Sequence, residues 1–413
     1  MNNSNDKTNN KPPHVVVYFS DTGGGHRSAA EAIVETLHIE YGDSLTTEMV
    51  DAFKNYAPLP LNKMPDLYPQ MVKAPKLWEA SFYVTDGSRR VRWITASTWP
   101  YVRHHVKAMI KSHPADLIVT VHPFANTFAL KALGSLRPPF FTVVTDIVTT
   151  HALWFDKRAD RIFIPSEAAR LRAIANGMPE EKLEVVGFPV ADRHCVPAGN
   201  KTALRNKLGW PLDKKIILLI GGMEGMGPLA KTARAIDESG LDIAQVIISG
   251  HNQRLKTYLE DHHWQNPTTV YGFTRELPDF LRAADVLVTK AGAASITEGL
   301  NANIPIVMYA KLPGQEDGNV TFIEDAGAGV YAPTPQQVVR ALTRWLCHPK
   351  EYKQIVENAR RASRPDSART IAHAIGDRLG LKPIRKARSR KAAKSNIASS
   401  PIMPVEPELQ EAA

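Results

Sequence analysis

The stretch SDTGGGHRSAAEAI, residues 20–33, follows the apolar run HVVVYFS (14–20), whose Ser20 it shares, and ends in a helix-like pattern. Three consecutive glycines, Gly23, Gly24 and Gly25, separate the two patterns, and His26 opens the second. Glycine weakens the interior of a strand or helix by about 0.5–1 kcal/mol. Three in a row mark a turn at which something approaches a bare backbone. The spacing predicts a strand, a glycine turn and a helix from His26 to about Leu37. The same unit recurs as KIILLIGG (215–222), then MEGMG, then a helix from Pro228 to about Glu238. Both strands are short apolar runs rich in β-branched residues, as buried parallel strands are.

Outward from these two turns, strand-like runs follow each opening. The first half offers DLIVTV (116–121), FFTVVTD (140–146), RIFIPS (161–166) and LEVVG (183–187). The second offers AQVIISG (244–250), TTVYGF (268–273), DVLVTK (285–290) and IPIVMYA (304–310). Helical stretches separate most of them, which predicts an α/β chain with two parallel sheets. The fold expected is therefore two Rossmann-like domains facing each other across a cleft. Ligands of such sheets bind beyond the carboxyl ends of the strands, so both glycine turns should face the cleft.

Composition agrees. The 413 residues are 43% hydrophobic and 23% charged, an ordinary globular balance and enough chain for about two or three domains. Lys and Arg outnumber Asp and Glu by 51 to 42, a net charge of +9. Much of that excess lies between Lys382 and Lys394, where seven basic residues meet no acidic one. Such a run reads as a solvated tail, with a grip on anionic lipid or nucleic acid as the functional alternative. Cys195 and Cys347 offer neither a disulfide framework nor zinc-ligand spacing. The polar start MNNSNDKTNNKPP lacks a signal-peptide pattern, and no run nears the ~18–20 apolar residues of a membrane span.

The second glycine turn contains GMGPLA (225–230), a match to the dinucleotide fingerprint G-x-G-x-x-A. That fingerprint also wants an acidic residue at the end of the next strand. Here that strand ends Ile248-Ser249-Gly250, so NAD is disfavoured and a phosphate group of another kind is not. After DVLVTK comes AGAASITEGL (291–300), where small residues permit close approach and Glu298 can accept two hydrogen bonds from a ribose diol. After IPIVMYA comes KLPGQEDGN (311–319), with Gln315, Glu316, Asp317 and Asn319 suited to sugar hydroxyls. Phosphate, diol and hydroxyl partners at successive strand ends point to a nucleotide-sugar.

These motifs, in this order, resemble the monogalactosyldiacylglycerol synthases and bacterial diacylglycerol glucosyltransferases, a GT-B group. The pieces that carry the likeness are SDTGGGHRSAAEAI (20–33), GGMEGMGPL (221–229), TKAGAASITEG (289–299) and PGQEDGNV (313–320). The resemblance implies inverting transfer of glucose or galactose from UDP-glucose or UDP-galactose to diacylglycerol. It implies that Gly222, Gly225 and Gly227 turn against the diphosphate, with Gly292 in the second small-residue turn. Phe273 would lie beside the uracil, Glu298 would hold the ribose, and Gln315 and Glu316 would contact the sugar with Asn319 nearby. Gly23, Gly24 and Gly25 would face the reacting centre from the acceptor side. Asp146 matches the group's proposed general base, and His26 is the rival. Here Thr150-His151-Ala152-Leu153-Trp154-Phe155 stands where plant-type members carry Cys-His-Pro-Thr-Trp-Phe.

Residues 76–106 hold Trp78, Phe82, Tyr83, Trp93 and Trp99 beside Arg89, Arg90, Arg92 and Arg103. Aromatic rings with Arg suit a headgroup boundary, and an amphipathic helix pair packed on the sheet is the alternative. With the resemblance, the expected partners are the UDP-sugar, diacylglycerol and an anionic membrane surface, with no nucleic acid. No cofactor or metal is implied, since no Asp-x-Asp pair ends a strand. The expected location is cytoplasmic, peripheral on the inner face of the cell membrane. The expected divisions are a disordered 1–13; an acceptor and membrane-binding domain, 14–187; a linker, 188–213; a UDP-sugar domain, 214–349; closing helices, 350–380; and a disordered basic tail, 381–413. Two alternatives stay open: an isoprenoid-linked or other lipid acceptor, and a non-catalytic UDP-sugar sensor.

Overall fold

The computed structural model describes residues 11–384, apart from 23, 72, 73, 197, 198, 223, 224 and 226. The expected tail beyond 384 and the start before 11 lie outside the described residues. The first sheet comprises β1 (His14–Phe19), β2 (Thr46–Asp51), β3 (Leu117–Thr120), β4 (Phe140–Val143), β5 (Arg161–Ile164) and β6 (Leu183–Val185), in the order β2-β1-β3-β4-β5-β6. The second comprises β7 (Lys215–Ile220), β8 (Ile243–Ile248), β9 (Thr268–Tyr271), β10 (Val286–Lys290), β11 (Ile306–Ala310) and β12 (Gly329–Tyr331), in the order β12-β11-β10-β7-β8-β9. Every described strand pairing is parallel. Read from its other edge, the second sheet has the order typical of dinucleotide folds. The expected pair of Rossmann-like domains is thus borne out.

The strands obey the two-residue side-chain period. Val15, Val17 and Phe19 enter one core of the first domain, and Val16 and Tyr18 the other. Ile216, Leu218 and Ile220 part from Ile217 and Leu219 in the same way. Both faces of each sheet are buried, which is why the strands read as continuous apolar runs. The edge strands β2 (TTEMVD) and β12 (GVY) were not anticipated. One is polar at four of its six residues and the other only three residues long, so neither carries a sustained apolar run.

Helices α1 (Gly24–Tyr41), α2 (Met64–Met71), α3 (Pro75–Thr85), α4 (Ser88–Ser112), α5 (Pro123–Leu133) and α6 (Glu167–Ala175) belong to the first half. Helix α7 (Lys201–Leu208) lies in the join and is tied to the second domain, its buried Arg205 donating to Asp285 at 2.6 Å. The second half adds α8 (Leu229–Asp237), α9 (Gln253–Glu260), α10 (Leu277–Ala283), α11 (Ala293–Asn301), α12 (Asp317–Asp325), α13 (Pro335–Cys347) and α14 (Pro349–Ala362). The last helix, α15 (Ser367–Arg378), returns to the first domain. Its Ile371, Ala372 and Ile375 share a core with Val15, Leu37 and Tyr41. Gly376 permits the approach, because a Cβ there would stand 2.0 Å from the Tyr41 hydroxyl.

Replacing Gly376 with Leu should therefore separate α15 from α1. Overpacking of this kind costs about 1–3 kcal/mol, which calorimetry should register as a Tm lower by several degrees.

Candidate active site

Each sheet reverses its strand order once, between β1 and β3 in the first domain and between β7 and β10 in the second. Crevices open at such reversals, beyond the carboxyl ends of the strands. The two crevices meet in one cleft of about 870 Å³, lined from both domains. The first domain contributes Thr22, Gly24, Gly25 and His26 after β1, and Thr145 and Asp146 after β4. Gly222, Phe273, Gly292, Glu298, Gln315, Glu316 and Asn319 line the second domain's wall. Gly23 lies outside the described residues.

His26 sits in the first turn of α1. Its Nδ1 is 2.9 Å from the Val121 carbonyl oxygen and 2.9 Å from the Thr145 hydroxyl. A carbonyl only accepts, so Nδ1 carries the ring proton and Nε2 keeps its lone pair. Burial pulls the ring's pKa down to about 4, against the pull of the Val121 carbonyl. The ring of His122 packs edge-on at 4.6 Å, with its Nε2 2.9 Å from the Thr22 hydroxyl. No sequence signal beyond its place after β3 marked His122.

Asp146 is 8% exposed. One carboxylate oxygen accepts from the Trp154 indole N–H at 2.6 Å and the other from the Gln315 amide at 3.0 Å. Burial raises its pKa, and these two donors oppose the rise. Gln315 belongs to the second domain, so the bond crosses the cleft. Nearby, the Gly318 N–H donates to the Thr149 hydroxyl at 3.0 Å, and Phe82 packs on Gly314. The loop after β4 and the loop after β11 thus clasp each other.

The residues expected on the donor side divide. Gly222 borders the cleft with φ +71°, a left-handed conformation that favours glycine. Gly225 is buried and Gly227 exposed, and neither is among the residues that line the cleft. A Cβ would stand 2.7 Å from the Ser249 carbonyl oxygen at Gly225 and 2.9 Å from the Tyr309 ring at Gly227. Helix α11 begins after Gly292 with no side-chain cap, and its first residues Ala293, Ala294 and Ser295 line the cleft. Helix starts leave backbone N–H groups unpaired, which suits an anion.

Lys290, at the end of β10, was missed in the sequence. Its position was a signal, a cation closing an otherwise apolar strand. Its ammonium lies 2.6 Å from Glu316, and its stem lies against the Gly222 backbone. Glu316 spends its other oxygen on the Leu312 N–H at 2.7 Å. The Asn319 amide donates to the Ala291 carbonyl at 2.8 Å, and its buried Oδ1 has no partner among the described residues. Phe273 is 54% exposed and stacks on His251 with centroids 4.4 Å apart. Burial pushes the Glu298 carboxyl up to about 8, and the His194 ring lies 3.7 Å away. Among the described residues, no three His, Cys, Asp or Glu side chains group as metal ligands.

The aromatic stretch folds as the pair α3–α4. Trp93 is 72% exposed, and Trp78 and Trp99 are half-buried, Trp99 under the Lys131 ammonium at 5.0 Å. Tyr83 is exposed, with its hydroxyl 3.5 Å from the Asp317 carboxylate. Phe82 corrects the expected surface set: it is 8% exposed, wedged between Gly314 and the His151 ring. Among the described residues, no helix is long and apolar enough to cross a membrane.

Comparison with known proteins agrees with this architecture. Residues 26–190 match the family model described as monogalactosyldiacylglycerol (MGDG) synthase, and residues 200–362 match glycosyl transferases group 1. The chain is 34% identical to a probable monogalactosyldiacylglycerol synthase 2 of Oryza sativa subsp. japonica, over 88% of this chain and 80% of the relative. It is also 34% identical to monogalactosyldiacylglycerol synthase 2 of Arabidopsis thaliana, with the same coverage. Both relatives are described as chloroplastic. Among solved structures, Acinetobacter baumannii MurG superposes with a TM-score of 0.58 at 16% identity, covering 89% of this chain and 100% of that one. Anabaena Alr3699/HepE in complex with UDP and glucose gives 0.55 at 14% identity, covering 89% and 99%. The chain is thus a GT-B glycosyltransferase and belongs to the monogalactosyldiacylglycerol synthase family.

Proposed function

We propose that the protein transfers galactose or glucose from a UDP-sugar to the free hydroxyl of 1,2-diacylglycerol, with inversion, to make a β-glycosyl diacylglycerol. One observation carries the reading: the neutral His26 imidazole and the Asp146 carboxylate share a cleft with the uncapped α11 N-terminus, Lys290, Glu298 and Phe273. Phe273 would stack on the uracil and Glu298 would accept the ribose hydroxyls. The α11 N–H groups and Lys290 would balance the diphosphate charge, so no metal or other cofactor enters. Gln315 and Asn319 would meet the hexose. The lipid hydroxyl would attack the anomeric carbon from the first domain's side as UDP departs with the bonding pair.

The proton needs an acceptor. Both oxygens of Asp146 already accept N–H bonds, whereas His26 Nε2 retains a lone pair with no hydrogen-bond partner among the described residues. We therefore assign the proton to His26, and to Asp146 the compensation of the imidazolium charge that follows. A positioned base contributes typically 10²–10⁴-fold.

Acceptor lipid must be met at a bilayer. Exposed Leu77, Val84, Trp93 and Tyr101 stand among exposed Arg89, Arg90, Arg92 and Arg103 on α3 and α4. This surface would lie on anionic lipid, on the cytoplasmic face of the cell membrane. Half-buried Trp78 and Trp99 would support it from beneath.

Purified protein incubated with diacylglycerol vesicles and UDP-glucose or UDP-galactose should yield a monohexosyl diacylglycerol by mass spectrometry. UDP binding with no lipid product from either donor would defeat the reading. His26→Ala should lower kcat by about 10²–10⁴-fold while leaving UDP affinity close to that of the parent. Asp146→Asn should lower kcat less, and a larger loss there would exchange the two roles. Because Glu298 holds its proton up to about pH 8, its ionised, diol-accepting form fills in only as pH rises. Calorimetric UDP affinity should accordingly strengthen between pH 7 and 9, and Glu298→Gln should flatten that trend.

A further inference from the structure

A second, smaller cavity of about 60 Å³ lies in the first domain, outside the cleft. Val102 and Val106 of α4, Phe128 of α5, and Phe53, Tyr56 and Ala57 from the segment after β2 are among its walls. Every side chain that lines it is aliphatic, aromatic or Met. The one hydroxyl among them, on Tyr56, is bonded to His113 Nε2 at 2.7 Å. The slot is therefore an apolar space with no polar group left to satisfy.

Its position gives it meaning. Phe53 packs on the His122 ring with centroids 5.2 Å apart, and Phe124, also in the wall, lies 6.0 Å from the same ring. His122 in turn packs on His26 at 4.6 Å. The slot thus lies one ring behind the group assigned to take the acceptor's proton. Its outer neighbours are greasy as well: Leu59, next to the lining Pro58, and Tyr101, next to Val102, are exposed. Helix α4, which forms one wall, carries four Arg, two Lys and no acidic residue. One element therefore offers an apolar groove on its inner face and a cationic, aromatic surface outside.

We propose that this slot holds the first methylenes of one fatty acyl chain of the acceptor, counted from its ester. The inference rests on the diacylglycerol reading above and adds where the chain lies. With its hydroxyl at His26 Nε2, the glycerol backbone and one ester linkage cover the thickness of the His122 ring. The chain then enters between α4 and the segment after β2, and its remainder leaves past Leu59 toward the bilayer. A volume of about 60 Å³ takes roughly two methylenes, a liquid water molecule filling about 30 Å³. The slot therefore reads the carbons near the ester, not total chain length.

Water-soluble acceptors separate this from membrane binding. Diacetylglycerol lacks the methylenes that would enter the slot, and dihexanoylglycerol has them. Burial of two methylenes predicts a roughly tenfold higher kcat/KM for the dihexanoyl compound in the parent enzyme. Ala57→Phe, which fills the slot from its loop wall, should bring that ratio close to one. Val106→Phe, from the opposite wall, should do the same, with kcat/KM for diacetylglycerol and the Tm held near the parent's to show that the first domain of each variant is folded. A ratio that stays near tenfold in folded variants, or a parent enzyme that treats both glycerides alike, overturns the proposal and leaves the diacylglycerol reading standing. A parent enzyme that binds UDP and glycosylates neither glyceride, nor vesicle lipid, removes the diacylglycerol reading and this proposal with it.

Discussion

Every described strand in both sheets is parallel, and that constraint governs the rest. A parallel sheet sends all its carboxyl ends to one edge, so each domain has a single edge from which loops can present chemistry. The two domains turn those edges toward each other, and loops far apart in sequence become opposite walls of one crevice. Glycines at the ends of β1 and β7 then follow from sterics, because the chain must turn at once into a helix while its backbone stays open.

The domains are not held apart by the cleft alone. Gln315 reaches Asp146, Gly318 meets Thr149, and Phe82 closes on Gly314. A Cβ on Gly318 would stand 2.5 Å from Val148, so this contact depends on a bare backbone as much as the β1 turn does. The loop that carries Gln315 thus holds the Asp146 carboxylate. The two walls of the cleft are therefore joined by hydrogen bonds and not merely adjacent.

Much of this was legible in the residues. The apolar runs marked ten of the twelve described strands, because burial on both faces leaves no polar alternation to blur them. Glu298 and the loop 311–319 stood out as polar groups following strand ends, Phe273 entered only through the family resemblance, and the structure brings Phe273, Glu298, Gln315, Glu316 and Asn319 to one wall. A glycine needed for close packing, as at Gly225, and one needed for a ligand look alike in sequence. Phe82 was misread for a related reason: an aromatic in a helix gives no sign of whether its neighbour is lipid or another domain. Gln315 could not be joined to Asp146 from sequence, since 169 residues separate them. The edge strands β2 and β12 carried too little apolar character to be seen.

The return of α15 to the first domain changes what counts as a half of this molecule. Arg369 on that helix reaches Glu40 of α1 and Asp192 of the join, and the Ser367 hydroxyl donates to the Gly187 carbonyl. The chain enters the second domain once, near residue 200, and leaves it again after α14. The second domain is thus an insertion and not a terminal module. A graft exchanging that domain for a relative's requires two cuts, one in the join and one between α14 and α15, with the final helix left to its host.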